Sequence, residues 1–201
     1  PHLKFLEVGH GKEHMLNSTL AISLMAILLV PIGEIDQKVI QVLSNDLNRI
    51  FDKQVLIGKG MPDPGYAYNK KRNQYLSTAI LNAISEQKEY TPYEKILAII
   101  DQDLYVPELN FVFGEASRKA AVISITRLWQ TFYLLPEDRE LFHRRVLTEA
   151  VHELGHTFEL DHCQNPHCVM FFSNSLSDTD RKGPEFCPRC RKNLQSFISL
   201  P

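Results

Sequence analysis

His152-Glu153-Leu154-Gly155-His156-Thr157-Phe158-Glu159-Leu160-Asp161-His162 is the stretch on which the reading of this chain turns. Its first five residues form H-E-x-x-H. On an α-helix, residues four apart differ by about 40° in angle and about 6 Å in height, so His152 and His156 stack on one face. Two imidazoles so placed can share one zinc ion. Glu153 lies a quarter-turn away, where its carboxylate can hold a water beside that metal. Zinc lowers the pKa of such a water from ~15.7 to ~7, and a carboxylate base completes its activation. A straight helix would carry His162 about 15 Å along the axis from His152, whereas zinc–nitrogen bonds are about 2 Å long. His162 therefore joins the metal only if the helix stops soon after His156 and the chain turns sharply back. Three histidines with an open fourth position are the pattern of a catalytic zinc, not a structural one.

Taken through His162, the stretch resembles the metzincin clan of metallopeptidases, whose pattern is H-E-x-x-H-x-x-G-x-x-H with a later methionine turn. Glu159 stands where the clan has its turning glycine. Glycine takes a positive φ without penalty, whereas glutamate there costs on the order of 1 kcal/mol unless the chain turns by another route. Cys163 follows His162 directly, then come Cys168, Met170 and Cys187-Pro-Arg-Cys190. In this the chain resembles the archaemetzincins, which add a four-cysteine zinc site beside the catalytic zinc. Leu28-Leu29-Val30-Pro31-Ile32-Gly33, Ala67-Tyr68-Asn69, Asp103-Leu104-Tyr105-Val106-Pro107, Leu109 to Ala116 and Phe172-Ser173-Asn174-Ser175-Leu176 support the resemblance, which runs from about Met25 to the C-terminus.

The resemblance implies an α+β fold, α/β-like in its N-terminal part. A mixed twisted β-sheet would carry an active-site helix bearing H-E-x-x-H, with a small zinc-stabilised C-terminal subdomain beside it. It implies two zinc ions per chain. His152, His156 and His162 would hold the catalytic one, and Cys163, Cys168, Cys187 and Cys190 the structural one. Met170 would form a hydrophobic floor beneath the catalytic zinc. Asn110, Phe111, Val112, Phe113 and Gly114 would form the edge strand that pairs with an extended peptide. The expected division is an N-terminal extension (1–24), a zincin-like subdomain (25–162) and a C-terminal subdomain (163–201).

Composition agrees with a soluble globular chain. Of 201 residues, 44% are hydrophobic and 23% charged, enough for one domain with a full core. A net charge of −2 offers no electrostatic case for nucleic acid or an anionic membrane as partner. All four cysteines lie from residue 163 onward. The spacing C-x4-C followed by C-x2-C suits a tetrahedral thiolate zinc site, with two disulfides as the alternative. Zinc thiolates imply a reducing, cytoplasmic compartment, and the chain is expected to be monomeric. Leu20 to Ile32 imitates a signal peptide, but no small-residue cleavage site follows, and it is too short to span a membrane. A buried strand is the better reading. His14-Met15 reads as a junction.

Along the chain, Met25–Gly33 reads as the first strand. Asp36 caps a helix carrying Val39, Ile40, Val42, Leu43, Leu47, Ile50 and Phe51 at helical spacing. Gln54–Ile57 and Ile96–Ile100 read as strands, and Gly58–Gly65 as a loop. Asn69 is expected to cap a helix running through Tyr75, Leu76, Ala79, Ile80, Ala83 and Ile84. Leu109–Phe113 and Ala121–Ile125 read as two strands. Pro136-Glu137-Asp138 announces the helix that runs into His152. Asp178-Thr179-Asp180 reads as a turn cap and Ser196–Leu200 as a final helix. Tyr66 and Tyr68 read as packing residues, Asp101 and Asp103 as turn residues. His143 lies too far down the helix to join the site, and His167 is a lesser substitute for a cysteine ligand.

The function this supports is zinc-dependent hydrolysis of peptide bonds on small peptides or N-termini, with Glu153 as general base. A vestigial, zinc-stabilised peptide-binding module is the alternative, motivated by Glu159.

Overall fold

The computed structural model describes residues 25–198, so the expectations placed on residues 1–24 and on the last three residues lie outside it. Strand β1 (Ile27–Ile32) is buried along its whole length. It lies between β2 (Val55–Ile57) and β5 (Lys95–Ile100), parallel to both. Strand β8 (Ala120–Ser124) pairs parallel with β5, and β7 (Gly114–Ala116) closes the sheet antiparallel to β8, giving the order β2-β1-β5-β8-β7. The sheet is therefore mixed, with the single reversal at the β7 edge.

Side chains alternate faces along a strand, and here both faces are apolar and covered. One face carries Ile27, Leu29, Leu97, Ile99, Ala121 and Ile123 against α1 (Gln37–Phe51) and α3 (Arg139–Thr157). The other carries Leu28, Val30, Ile96, Ala98, Ala120 and Val122 against α2 (Ser77–Ser85). Double burial is why Met25–Gly33 shows a continuous apolar run and no alternation. Asp36 caps α1 by accepting from the Lys38 N–H at 2.8 Å. Cys163, Cys168, Met170, Phe186, Cys190 and Leu194 join the same core as α1 and α3, so the C-terminal segment packs into the main body. No helix among the described residues is long and apolar enough to cross a membrane.

Four expectations need correction. Asn69 does not cap a helix. It lies in β3 (Tyr68–Asn69), which makes a hairpin with β4 (Gln74–Leu76). The Asn69 side chain bonds the N–H groups of Lys71 and Arg72, and Asn73 adopts φ 53°, both turn chemistry that stops a helix before Ser77. Strand β4 then pairs with β6 (Leu104–Tyr105) in a small second sheet. Leu109–Phe113 is not a strand. The carbonyls of Leu109 and Asn110 are taken by Arg72 and Gln74 side chains instead of a neighbouring strand, and ladder pairing to β8 begins at the Phe113 carbonyl. Asp178-Thr179-Asp180 lies within a helix, α4 (Leu176–Lys182), whose cap is Ser175. The final helix, α5 (Pro188–Ile198), starts earlier than expected because proline is favoured in a helix's first turn, where its missing N–H has no partner to lose.

Candidate functional site

Helix α3 is rooted in the core by Phe142, Val146, Ala150 and Leu154, and Asp138 caps its start. Its last turn is His156-Thr157. Glu159 then adopts φ 59°, the left-handed conformation that glycine would take freely. The Leu160 N–H bonds back to the Gly155 carbonyl at 3.1 Å. The Lys95 ammonium satisfies the Thr157 carbonyl at 2.6 Å, and the Glu159 carboxylate pairs with Arg118. These local bonds offset a strain on the order of 1 kcal/mol, and the chain reverses where the sequence requires it.

The reversal brings His162 to the other two histidines. The ring centroids of His152, His156 and His162 lie 4.7 to 5.4 Å apart, and one donor nitrogen from each falls within 4.8 Å of the others. His152 donates from Nδ1 to the Val169 carbonyl at 2.7 Å, and His156 from Nδ1 to the Leu160 carbonyl at 2.8 Å. With both protons on Nδ1, each Nε2 presents a lone pair. The two Nε2 atoms face each other at 3.2 Å. Two acceptors so close repel unless a cation lies between them, so the donor set fits a divalent metal. Burial, with Lys182 adding to it, pushes the His152 pKa well below its ordinary value, and burial lowers those of His156 and His162. All three rings are thus neutral, as ligands must be.

Glu153 is buried one residue beyond His152, with Gly114 of β7 packed against its side chain. Burial, then the neighbouring Glu149, raises its pKa to about 8. A dication at the imidazoles would draw that proton off, because its field favours the carboxylate. A cleft of about 260 Å³ opens beside it, lined by Leu109–Gly114, by Glu149, His152 and Glu153 of α3, and by Phe172-Ser173-Asn174 with Lys182.

The four cysteines also converge. Their sulfurs lie within 4.8 Å of one another, and none is in a disulfide. Cys163 Sγ and Cys187 Sγ are 3.9 Å apart, close to the ~3.8 Å edge of a tetrahedron with ~2.3 Å zinc–sulfur bonds. Backbone N–H groups of Asn165 and Cys187 point at Cys163 and Cys168 sulfurs, as suits thiolates. Burial raises the Cys187 thiol, but hydrogen bonds from Cys190 and the neighbouring thiols outweigh it, bringing its pKa to about 7. Met170 is fully buried against the backbone of α3 at Gly155, where a Cβ would lie only 2.4 Å from its sulfur. Its carbonyl accepts from the Cys163 N–H at 2.8 Å.

Three groups at the cleft escaped sequence reasoning. Glu149 stood within reach of it, four residues before Glu153 and so on the same helix face. Lys182 and Ser173 carried no spacing signal, since only the fold brings them to α3. Among the proposed edge residues, Asn110 to Phe113 line the cleft as irregular chain, and Gly114 alone lies in β7.

Residues 32–196 match the family model for peptidase family M54. The chain is 38% identical over 184 residues to an archaemetzincin of Methanocaldococcus jannaschii, covering 89% of this chain and 99% of that relative. It is 41% identical over 179 residues to one from Pyrococcus furiosus, covering 86% and 93%. The crystal structure of archaemetzincin from Methanopyrus kandleri superposes with a TM-score of 0.77 at 38% identity, covering 89% of this chain and 97% of that one. That of archaemetzincin from Archaeoglobus fulgidus complexed with malonate gives 0.73 at 38% identity, covering 84% and 99%.

Proposed function

The chain belongs to peptidase family M54, the archaemetzincins, a family of zinc metallopeptidases, and from that membership we propose that it hydrolyses small peptides with Glu153 as general base. His152, His156 and His162 would hold the catalytic zinc, and Cys163, Cys168, Cys187 and Cys190 a second, structural one. The observation that carries the first assignment is the pair of Nε2 lone pairs facing each other at 3.2 Å, each fixed by an Nδ1–carbonyl bond. Bound there, zinc supplies Lewis acidity toward the scissile carbonyl and an acidified water. Glu153 takes the proton of the attacking water and delivers it to the leaving amine. Its burial beneath Gly114 keeps bulk water from levelling that transfer.

The substrate backbone would lie along the outer edge of β7. Phe113 and Glu115 turn their backbone groups toward β8, which leaves those of Gly114 and Ala116 facing outward. Upstream, the Val112 N–H is already bonded to the Leu104 carbonyl at 2.9 Å. The free edge is therefore short, which favours small peptides. The left-handed turn at Glu159 supports this reading over that of an inert binding module. Four thiols grouped for one metal favour a reducing compartment, the cytoplasm. Glu153→Gln should abolish turnover while leaving the zinc content unchanged. Loss of zinc together with activity would not support the base role, and turnover retained by the zinc-loaded variant would refute it.

A further inference from the structure

The cleft carries polar groups that the peptidase chemistry does not use. Lys182, the last residue of α4, has a side chain with no solvent exposure. Its ammonium reaches Glu149 at 3.3 Å and the Phe171 carbonyl at 3.4 Å. Charge-assisted N–H···O bonds are ordinarily about 2.7–2.9 Å long, so a buried cation with three donors holds two stretched partners. Glu149 is committed elsewhere as well: it accepts from the Thr179 hydroxyl at 2.8 Å. Across the same wall, the Ser173 hydroxyl oxygen is buried and has no hydrogen-bond partner among the described residues. Lys182, Glu149 and Ser173 all line the cleft that contains Glu153.

Glu149 and Glu153 are one turn apart on α3, a rise of about 6 Å. Lys182 touches Glu149, so it stands about one helical turn from the proposed base, within reach of the side chain of a residue next to the scissile bond. A side chain entering there meets an under-bonded ammonium and an unbonded hydroxyl, both donors. An apolar side chain would leave the Ser173 hydroxyl without a partner and give the third donor of the ammonium no acceptor, and a cationic one would set two positive charges together. A carboxylate accepts from both.

We propose that the cleft recognises a carboxylate on the substrate residue flanking the scissile bond, through Lys182 and Ser173. This rests on the peptidase reading and names its substrate class. The carboxylate comes either from an aspartate or glutamate side chain or from the free C-terminus of a short leaving group.

Calorimetry on the zinc-loaded full chain tests it with four dipeptides: Asp-Ala, Asp-Ala amide, Leu-Ala and Leu-Ala amide. Asp-Ala amide carries only a side-chain carboxylate and Leu-Ala only a terminal one, so the stronger of these two names the source. That ligand should bind about tenfold or more tighter than Leu-Ala amide, as expected for a hydrogen-bonded charge. Lys182→Met should erase the difference, and Ser173→Ala should reduce it. If Lys182→Met fails to fold because Glu149 is left alone, Lys182→Met with Glu149→Gln keeps the site neutral and should give the same loss. Equal binding of all four peptides, or no measurable binding of any, overturns the proposal. So does a preference that survives loss of Lys182, which would mean that zinc itself reads the carboxylate. Preference without turnover would refute the peptidase reading and leave carboxylate recognition standing.

Discussion

Gly114→Ala tests whether the position of Glu153 is set by the sheet edge. A Cβ built on Gly114 would lie 2.6 Å from Glu153 Cγ, 2.9 Å from its Cδ and 2.8 Å from the Val122 carbonyl oxygen. Ordinary contact begins near 3.4 Å, so two neighbours are about 0.6 to 0.8 Å too close. Val122 O belongs to the backbone of a fully buried strand and cannot yield, so the Glu153 side chain or the β7 edge must. Overpacking of this kind costs about 1–3 kcal/mol. Restricting the unfolded chain returns about 0.4–1 kcal/mol. The remainder, about 0–2.6 kcal/mol, lowers Tm by up to about 10 °C in a domain of this size. Turnover should suffer more than stability. Moving a catalytic group by a good fraction of an ångström lowers the rate by about 10- to 100-fold. The assay combines a fluorogenic peptide library for turnover, elemental zinc per chain and thermal melting by circular dichroism. The expected result is impaired turnover, unchanged zinc and a modestly lower Tm. Wild-type turnover at an unchanged Tm would show that Gly114 and Glu153 do not constrain one another. Lost zinc would move the fault from the base to the ligands.

Lys95→Met should destabilise the chain by about 1–3 kcal/mol, because the Thr157 carbonyl at the end of α3 loses its charged partner; an unchanged melt would show that solvent can replace it. Glu159→Gly should leave Tm within about 3 °C: relief of about 1 kcal/mol of left-handed strain is opposed by the entropy of glycine and the lost Arg118 pair, each about 0–1 kcal/mol. Loss of turnover in that variant would show that the Arg118 contact, and not the turn alone, positions His162. A chelator should remove one zinc quickly and the other slowly, because His152 lines the cleft and His162 is exposed, while Cys163, Cys168 and Cys190 are buried. Elemental analysis over time reads the two phases, and His156→Ala should contain only the slow ion.

Much of the site was legible because its chemistry follows local spacing. His152, Glu153 and His156 lie on one helix, and His162 could meet them only if the chain turned back soon after His156, which it does at Glu159. The cysteines were legible for the same reason: their positions form two short pairs. The sheet was legible where burial on both faces left long apolar runs, as in β1 and β5. Legibility failed where side chains replaced backbone pairing. Phe111 and Phe113 alternate like strand residues, yet Arg72 and Gln74 hold that segment, and Arg72 lies 37 residues from the carbonyl it binds. Tyr75 and Leu76 share helical spacing with Ala79, Ile80, Ala83 and Ile84, but the turn at Asn73 and the pairing of β4 hold them in a strand. Lys182 shows the general limit. Nothing near it in sequence says that a lysine there is buried, because its burial comes from α3, about thirty residues away.

The two candidate metal sites share more than a stretch of chain. The Val169 carbonyl that fixes the His152 ring lies between Cys168 and Met170. The Val169 N–H is held in turn by the Glu185 carbonyl at 2.8 Å, two residues before Cys187. The Cys163 N–H, next to His162, bonds the Met170 carbonyl. The carbonyl that supports His152 thus lies in the segment that carries the four sulfurs, whereas the one that supports His156, Leu160, lies just before it. Groups that orient a ligand's second ring nitrogen typically alter metal affinity by about 10- to 100-fold. The segment from Cys163 to Cys190 is held to the main body by Cys163, Cys168, Met170, Phe186 and Cys190 in the core and by the Asp180–Arg145 and Thr179–Glu149 bonds, and a metal at the thiols would add to that support. The dependence runs in one direction. Removal of an ion from the histidines should leave the cysteine cluster and the Val169 carbonyl in place, whereas opening the cysteine cluster should loosen the carbonyl that aims His152. The cysteine unit is therefore part of the catalytic architecture, and its place directly after His162 follows from that.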